Sequence, residues 1–187
     1  MGRIIVSDNV SIDGVFQDPA GDEGFARGGW VGAIKDRPEL GQLALDDALG
    51  SDALLMGRRT YEWFAGRWPS RTGALADRLN AMPKYVVAST LPRPEWDNTT
   101  VLAGDLLDEV RRIKAEVSRD ILVTASSGIA RALLDHDLVD ELRLKVFPVV
   151  LGAGTRLFGE TSDSRPMRLV ETRCIDRDTA YLVYARS

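Results

Sequence analysis

The sequence predicts an α/β fold, a mixed and mostly parallel sheet with helices on both faces, and three observations lead there. Apolar, β-branched runs at residues 3–7, 52–56, 84–88 and 120–124 have the length and character of buried strands. Helix-like segments separate them, and strands that alternate with helices pair in parallel beneath helical layers. The chain closes with two strand-like runs, 168–175 and 179–186, joined by Asp176-Arg177-Asp178. That terminal antiparallel hairpin makes the sheet mixed.

In chain order, residues 3–7 (Arg-Ile-Ile-Val-Ser) form the first strand and run into Asp8-Asn9-Val10-Ser11-Ile12-Asp13-Gly14-Val15. Asp13-Gly14 is a turn signal, because glycine takes positive φ and aspartate bonds local backbone. Residues 18–32 follow as a long loop rich in glycine and small polar residues, of the kind that covers sites. Trp30 inside it reads equally as a core anchor or as the wall of a ligand pocket. Asp36-Arg37-Pro38-Glu39 starts a helix, with Asp36 as the expected cap and Pro38 in the first turn. Leu40, Leu43, Ala44 and Ala48 give that helix its apolar face.

Strand 52–56 stops at Gly57 and feeds Arg58-Arg59-Thr60-Tyr61, where a helix begins. Backbone N–H groups, a hydroxyl and guanidinium charge meet at that junction, which suits a phosphate, although a plain surface junction reads the same way. Trp63, Phe64 and Trp68 form an aromatic cluster after it, read as core packing or as part of a site. A helix over 72–80 ends at Met82-Pro83. Strand 84–88 ends in Ser89-Thr90, and Pro92, Pro94 and Asn98 mark the next loop. Hydroxyls at a strand's carboxyl end fall where open α/β sheets bind ligands. Residues 99–102 form a short strand, and 105–117 a helix with Leu106, Val110, Ile113 and Val117 on one face. Strand 120–124 opens into Ala125-Ser126-Ser127-Gly128, a small-residue turn that admits a ligand to the backbone at a second helix start. Residues 141–147 alternate as a strand, Pro148 ends it, and Gly152-Ala153-Gly154 is a turn. No linker or repeat divides the chain, so residues 1–187 read as one domain.

Composition narrows the function. A net charge of −4 argues against nucleic acid as a partner, since phosphate backbones are bound through basic surface. One cysteine, Cys174, allows no internal disulfide, and with a single histidine the chain cannot assemble a structural zinc site, so no metal is expected. His136 lies in Asp135-His136-Asp137, a solvated linker rather than the base of a hydrolase triad. No stretch approaches the length of a membrane span and no signal peptide is visible, so a cytoplasmic protein is expected.

Four stretches in order, Ser11-Ile12-Asp13-Gly14, Leu55-Met56-Gly57-Arg58-Arg59-Thr60-Tyr61-Glu62, Leu138-Val139-Asp140-Glu141-Leu142 and Pro148-Val149-Val150-Leu151-Gly152-Ala153-Gly154 with Leu157-Phe158, resemble the dihydrofolate reductase-like superfamily. The branch they resemble is the C-terminal reductase domain of bacterial riboflavin biosynthesis, and the resemblance spans the chain. It implies a dihydrofolate reductase-like three-layer α/β/α domain that binds NADPH across the carboxyl ends of its strands. On that pattern Gly57, Arg58, Arg59 and Thr60 hold the pyrophosphate or the adenosine 2′-phosphate, which a guanidinium suits through paired donors. Ser89 and Thr90 lie beside the adenosine, and Ala125, Ser126, Ser127 and Gly128 offer backbone to the pyrophosphate. Gly14 and Val15 lie against the nicotinamide. Asp13 is the candidate catalytic residue, and Trp30, Tyr61 and Trp68 are candidates for a small-molecule substrate. The resemblance and the apolar terminal hairpin, whose edge needs covering, imply a homodimer.

The sequence departs from the pattern in two places. Relatives carry glycine where Ala125 stands and another residue where Gly128 stands, so the cofactor's approach is narrowed. None of Asp36, Glu39, Asp46 and Asp47 matches the pterin-binding acid of dihydrofolate reductases proper, which sets dihydrofolate aside. Two functions are expected in consequence. One is an NADPH-dependent reductase that transfers hydride to a C=N or C=O carbon of a small heterocyclic or sugar-derived substrate. The alternative is a nucleotide- or ligand-binding protein that retains the fold without turnover.

Overall fold

A computed structural model describes residues 1–33, 36–91, 93–160 and 163–187, which leaves the loop marker Pro92 outside the described residues. The elements are β1 (Arg3–Ser11), α1 (Pro38–Gly50), β2 (Ser51–Gly57), α2 (Arg58–Ala65), α3 (Ala74–Ala81), β3 (Lys84–Val87), β4 (Thr99–Leu102), α4 (Leu106–Glu116), β5 (Asp120–Val123), α5 (Ser127–Asp135), β6 (Glu141–Phe147), β7 (Met167–Ile175) and β8 (Thr179–Arg186). Among the described residues, eight strands form one sheet in the order β4-β3-β2-β5-β1-β6-β8-β7. The first six in that order are parallel, so β1 to β6 all end on one rim. β8 runs antiparallel to β6 and pairs with β7, so the terminal hairpin forms an antiparallel edge as expected.

Alternation along the strands separates two cores. Ile4, Val6, Val10, Leu55, Ile121 and Val123 pack under α4 and α5. Leu54, Met56, Val86 and Leu122 pack with Ala48 of α1, Tyr61 of α2 and Leu79 of α3 on the other face. This is the three-layer α/β/α arrangement expected from the sequence.

Three local expectations change. β1 runs four residues past Ser7, because Val10 and the polar Asp8 and Ser11 are also buried there and pair with β6 as far as Phe147. α1 is not capped by Asp36, which is exposed at φ +60. Its cap comes from the far hairpin. The carboxylate of Asp176 accepts the N–H groups of Glu39 and Leu40 at 3.1 and 2.9 Å, and the Glu39 carboxylate accepts the Asp176 N–H at 2.5 Å. That is a reciprocal capping box assembled between segments far apart in the chain. The helix expected from Thr72 begins only at Ala74, after Gly73 at φ +105. α4 follows its sequence signals more closely, since Asp105 accepts from Leu107 and Asp108 N–H at 3.0 and 3.2 Å.

Candidate functional site

The parallel strands bring Gly57, Ser89-Thr90, Ala125–Gly128 and Asp13-Gly14 to the same rim, the place where open α/β sheets bind ligands. Side-chain hydrogen bonds join two of these turns. The Thr60 hydroxyl donates to the Ala125 carbonyl at 2.6 Å, the Ser126 hydroxyl donates to Thr60 Oγ1 at 2.9 Å, and Gly57 N–H donates to Ser126 Oγ at 3.2 Å. Ser126 is thereby used between turns, and among the described residues neither α2 nor α5 has a side-chain cap on its first turn. Two helix N-termini with free N–H groups and positive partial charge therefore face one rim.

Arg58 ties this corner to the next strand end, donating to the Thr90 carbonyl at 2.7 Å and to its hydroxyl at 3.2 Å, while Glu62 accepts from Nε at 2.7 Å. Arg59 projects into solvent at 92% side-chain exposure, with Glu23 at 3.9 Å, and Ser89 is exposed beside Thr90. A Cβ added at Gly14 or Gly128 would meet nothing within 4 Å, and one at Gly57 would meet only the Ile129 side chain at 3.8 Å. Uncapped helix starts, adjoining guanidinium groups and open backbone together fit a phosphate-bearing dinucleotide.

Other candidates are placed differently. Asp13 is a clasp. Its carboxylate accepts from the Ser11 hydroxyl at 2.7 Å and from Leu151 and Gly152 N–H at 3.0 and 2.8 Å, tying the end of β1 to the segment after β6. The Ser11 hydroxyl first, then these N–H groups, hold its carboxyl down at about 2, so Asp13 is ionised near neutral pH. Val15 is 1% exposed in a core cluster with Trp30, Phe147 and Leu151, so Gly14 alone presents open backbone there. Trp30 meets Phe147 edge-on at 5.4 Å and donates its indole N–H to the Gln17 carbonyl at 2.9 Å. Its packing is that of a core anchor. Tyr61 is buried, its hydroxyl accepting Trp96 N–H at 3.1 Å, and Trp68 packs on Phe64 in the same cluster. Tyr61 and Trp68 lie in the cluster between α2, α3 and the sheet, a different cluster from that of Trp30.

The loop after β1 folds on Asp18, whose carboxylate accepts the N–H groups of Gly21, Asp22, Glu23 and Phe25. Its tip fastens to α2, where Asp22 accepts from the Trp63 indole at 3.0 Å and from Arg67 at 2.5 Å. Sequence reasoning missed one rim residue, Asp8, which sits beneath the Ala125 turn and accepts Ala125 N–H at 2.7 Å. The signal was a carboxylate inside an apolar strand, hidden by ending that strand at Ser7.

A family model, the RibD C-terminal domain, matches residues 3–181. The chain belongs to the RibD C-terminal domain family. The Bacillus subtilis protein YyaP is 27% identical over 189 residues, covering 97% of this chain and 94% of that protein. Three solved structures share the fold. One is a Shewanella sp. PV-4 protein described as a candidate for riboflavin biosynthesis (TM-score 0.78, 23% identity, 99% of each chain). Another is Acinetobacter baumannii RibD (TM-score 0.71, 15% identity, all of this chain and 58% of that one). The third is Enterococcus faecalis dihydrofolate reductase complexed with NADP(H) (TM-score 0.65, 15% identity, 99% and 96% covered). Family and fold together suggest a reductase. Among the described residues, no helix is long and apolar enough to cross a membrane.

Proposed function

We propose that this chain is an NADPH-dependent reductase acting on a C=N or C=O carbon of a small heterocyclic or sugar-derived molecule. The observation that carries the reading is the pair of uncapped helix starts, α2 and α5, locked side by side through Thr60, Ser126 and Gly57 and flanked by Arg58 and Arg59. On this reading the N–H groups of Ser127 and Gly128 and the two guanidinium groups take the phosphates. Ser89 and Thr90 flank the adenosine, and the open backbone at Gly14 receives the nicotinamide end. Bound NADPH supplies the hydride, and the chain orients its ring and excludes water around it. Asp13 contributes by fixing the turn that carries Gly14, not by moving a proton. Titration with NADPH, followed by quenching of tryptophan emission, is expected to saturate. A flat signal up to about 1 mM, the upper end of ordinary enzyme affinities, would remove the proposal.

One observation favours a second reading, binding without turnover: Asp13, the sequence-level candidate for the proton, is held ionised by three donors. A panel of aldehydes, imines, pterins and pyrimidines separates the two, since a binding protein saturates with NADPH yet consumes none.

The same proposal takes residues 1–187 as one domain, which a single cooperative unfolding transition would support. It also takes the molecule as a homodimer. β7 is an edge strand whose residues 168–174 are exposed, with Leu169 and Val170 about half uncovered at 48% and 51%, and a second copy would cover it. Sedimentation at the monomer mass of 20.5 kDa would exclude the dimer.

A further inference from the structure

One buried carboxylate beneath the rim has half of its hydrogen-bonding capacity unused. Asp8 stands on β1 beside Leu144 of β6, on the same side of the strand as Val6 and Val10, which pack beneath α4 and α5. Its Oδ1 accepts the Ala125 N–H at 2.7 Å and lies 3.5 Å from the Thr124 hydroxyl. Its Oδ2 is buried with no partner among the described residues. The groups α5 turns inward are Ile129, Ala130 and Leu133, and those of α4 are Val110, Ile113 and Lys114, whose ammonium is held by Asp140. The cation that acts on Asp8 is Lys145 of β6, and its ammonium is held by Ser7 and Asp47 instead. Burial pushes the Asp8 carboxyl up to about 7, with Ala125 N–H, Lys145 and Thr124 opposing it.

Asp8 also shapes the turn above it. With its N–H held from below by Asp8 and its carbonyl held by Thr60, Ala125 stays at φ +53, and the first turn of α5 faces outward uncapped. We infer that Asp8 is a positioning residue that couples proton uptake to anion binding at the α5 N-terminus, its free Oδ2 receiving the proton as a phosphate group settles on the turn. This rests on the cofactor reading above and extends it. The balance is simple: ionised protein, anion and one solvent proton give the complex, and no other bond changes. An ionised carboxylate beneath the turn repels a phosphate across a poorly screened interior, whereas the neutral acid does not, and Oδ1 still accepts the Ala125 N–H. The sign follows. Affinity is constant while Asp8 is neutral in the free protein and weakens as pH rises through about 7.

The experiment is calorimetric titration of the full chain and of Asp8→Asn and Asp8→Ala with NADPH at about pH 6 and about pH 8.5, in buffers of different ionisation enthalpy. The parent is expected to lose roughly tenfold in affinity across that window and to take up a fraction of a proton at neutral pH. Asp8→Asn should keep only the slope contributed by the cofactor's own phosphate. Equal slopes in parent and Asp8→Asn overturn the coupling. Amide hydrogen exchange at Ala125, read without any ligand, tests the positioning: faster exchange in Asp8→Ala supports it, and unchanged exchange removes it. Should Asp8→Ala fail to fold, Asp8→Asn still carries the test of coupling. If NADPH does not bind the parent, the cofactor reading fails, and inorganic pyrophosphate becomes the probe. A pyrophosphate affinity whose pH slope Asp8→Asn abolishes sustains the inference, and no pyrophosphate binding ends it.

Discussion

The two sides of β1 bury one aspartate each and treat it oppositely. On the α1 side, Asp47 accepts from the Ser7 hydroxyl at 2.5 Å, pairs with Arg143 at 2.6 Å and with Lys145 at 3.2 Å. Burial pushes that carboxyl up, but Lys145, Ser7 and Arg143 more than offset it, and Asp47 is held below its ordinary value. On the α5 side, Asp8 has one backbone N–H, a distant hydroxyl and no cation of its own, and burial leaves it at about 7. A buried charge is tolerated when it is paired and hydrogen-bonded, and otherwise it titrates. The paired aspartate lies on α1, against β1 and β6, where it joins the helix layer to the sheet. The unpaired one lies beneath a turn that the fold keeps open.

Breaking the paired side should have the largest effect. Asp47→Ala leaves the buried Lys145 without a carboxylate and Arg143 with Glu141 alone, and is expected to cost about 3–5 kcal/mol in denaturant unfolding, the range for one partner lost from a buried ion pair. A loss below about 1 kcal/mol would mean that the cluster is wet and screened. Asp8 sharpens the contrast through the sign of its pH dependence. With its folded pKa raised, it contributes stability at low pH that is lost as pH climbs from about 4 to about 7, whereas Asp47, with a lowered pKa, loses its contribution as pH falls. Asp8→Asn should therefore flatten the alkaline decline by on the order of 2–4 kcal/mol between pH 4 and pH 8, measured by chemical unfolding. A parallel decline in parent and variant would show that Asp8 is not the group responsible.

Next in size is the corner proposed to face the cofactor. Arg58→Ala removes a guanidinium that also bridges to Thr90, and NADPH affinity is expected to drop by about 1–3 kcal/mol, the range for a lost charged hydrogen bond. Unchanged affinity would reduce that corner to a surface junction. The smallest effect is at Ala125, whose φ of +53 is unfavourable for a residue with a Cβ. Ala125→Gly should change the unfolding free energy by no more than about 1 kcal/mol, because relief in the folded state is opposed by the greater freedom of the unfolded chain. A loss larger than that would show the alanine methyl to be packed.

Much of the candidate site was legible because phosphate-friendly groups announce themselves locally. Gly57-Arg58-Arg59-Thr60 and Ala125-Ser126-Ser127-Gly128 each combine a strand end, small residues and a helix start, and parallel pairing carries both to one rim. The aromatics were harder. Trp30, Tyr61 and Trp68 look alike in sequence whether they wall a pocket or fill a core, and only their neighbours Phe147, Trp96 and Phe64 decide. Asp13 reads as a turn residue or as an acid, and the answer rests with Leu151 and Gly152, more than a hundred residues away.

By itself, then, the sequence determined the alternation of strands and helices, the mixed sheet with its closing hairpin and the turns that meet at the rim, since these follow from periodicity, β-branching and glycine placement. Tertiary structure alone decided which charges are paired. Asp176 caps α1 from the far hairpin, Asp47 on α1 finds Arg143 and Lys145 on β6, and Asp8 finds the Ala125 N–H and a distant Thr124 hydroxyl. The reason is physical. Strand and turn preferences act between residues a few positions apart, whereas the cost of a buried charge depends on what the folded chain places within a few ångströms of it.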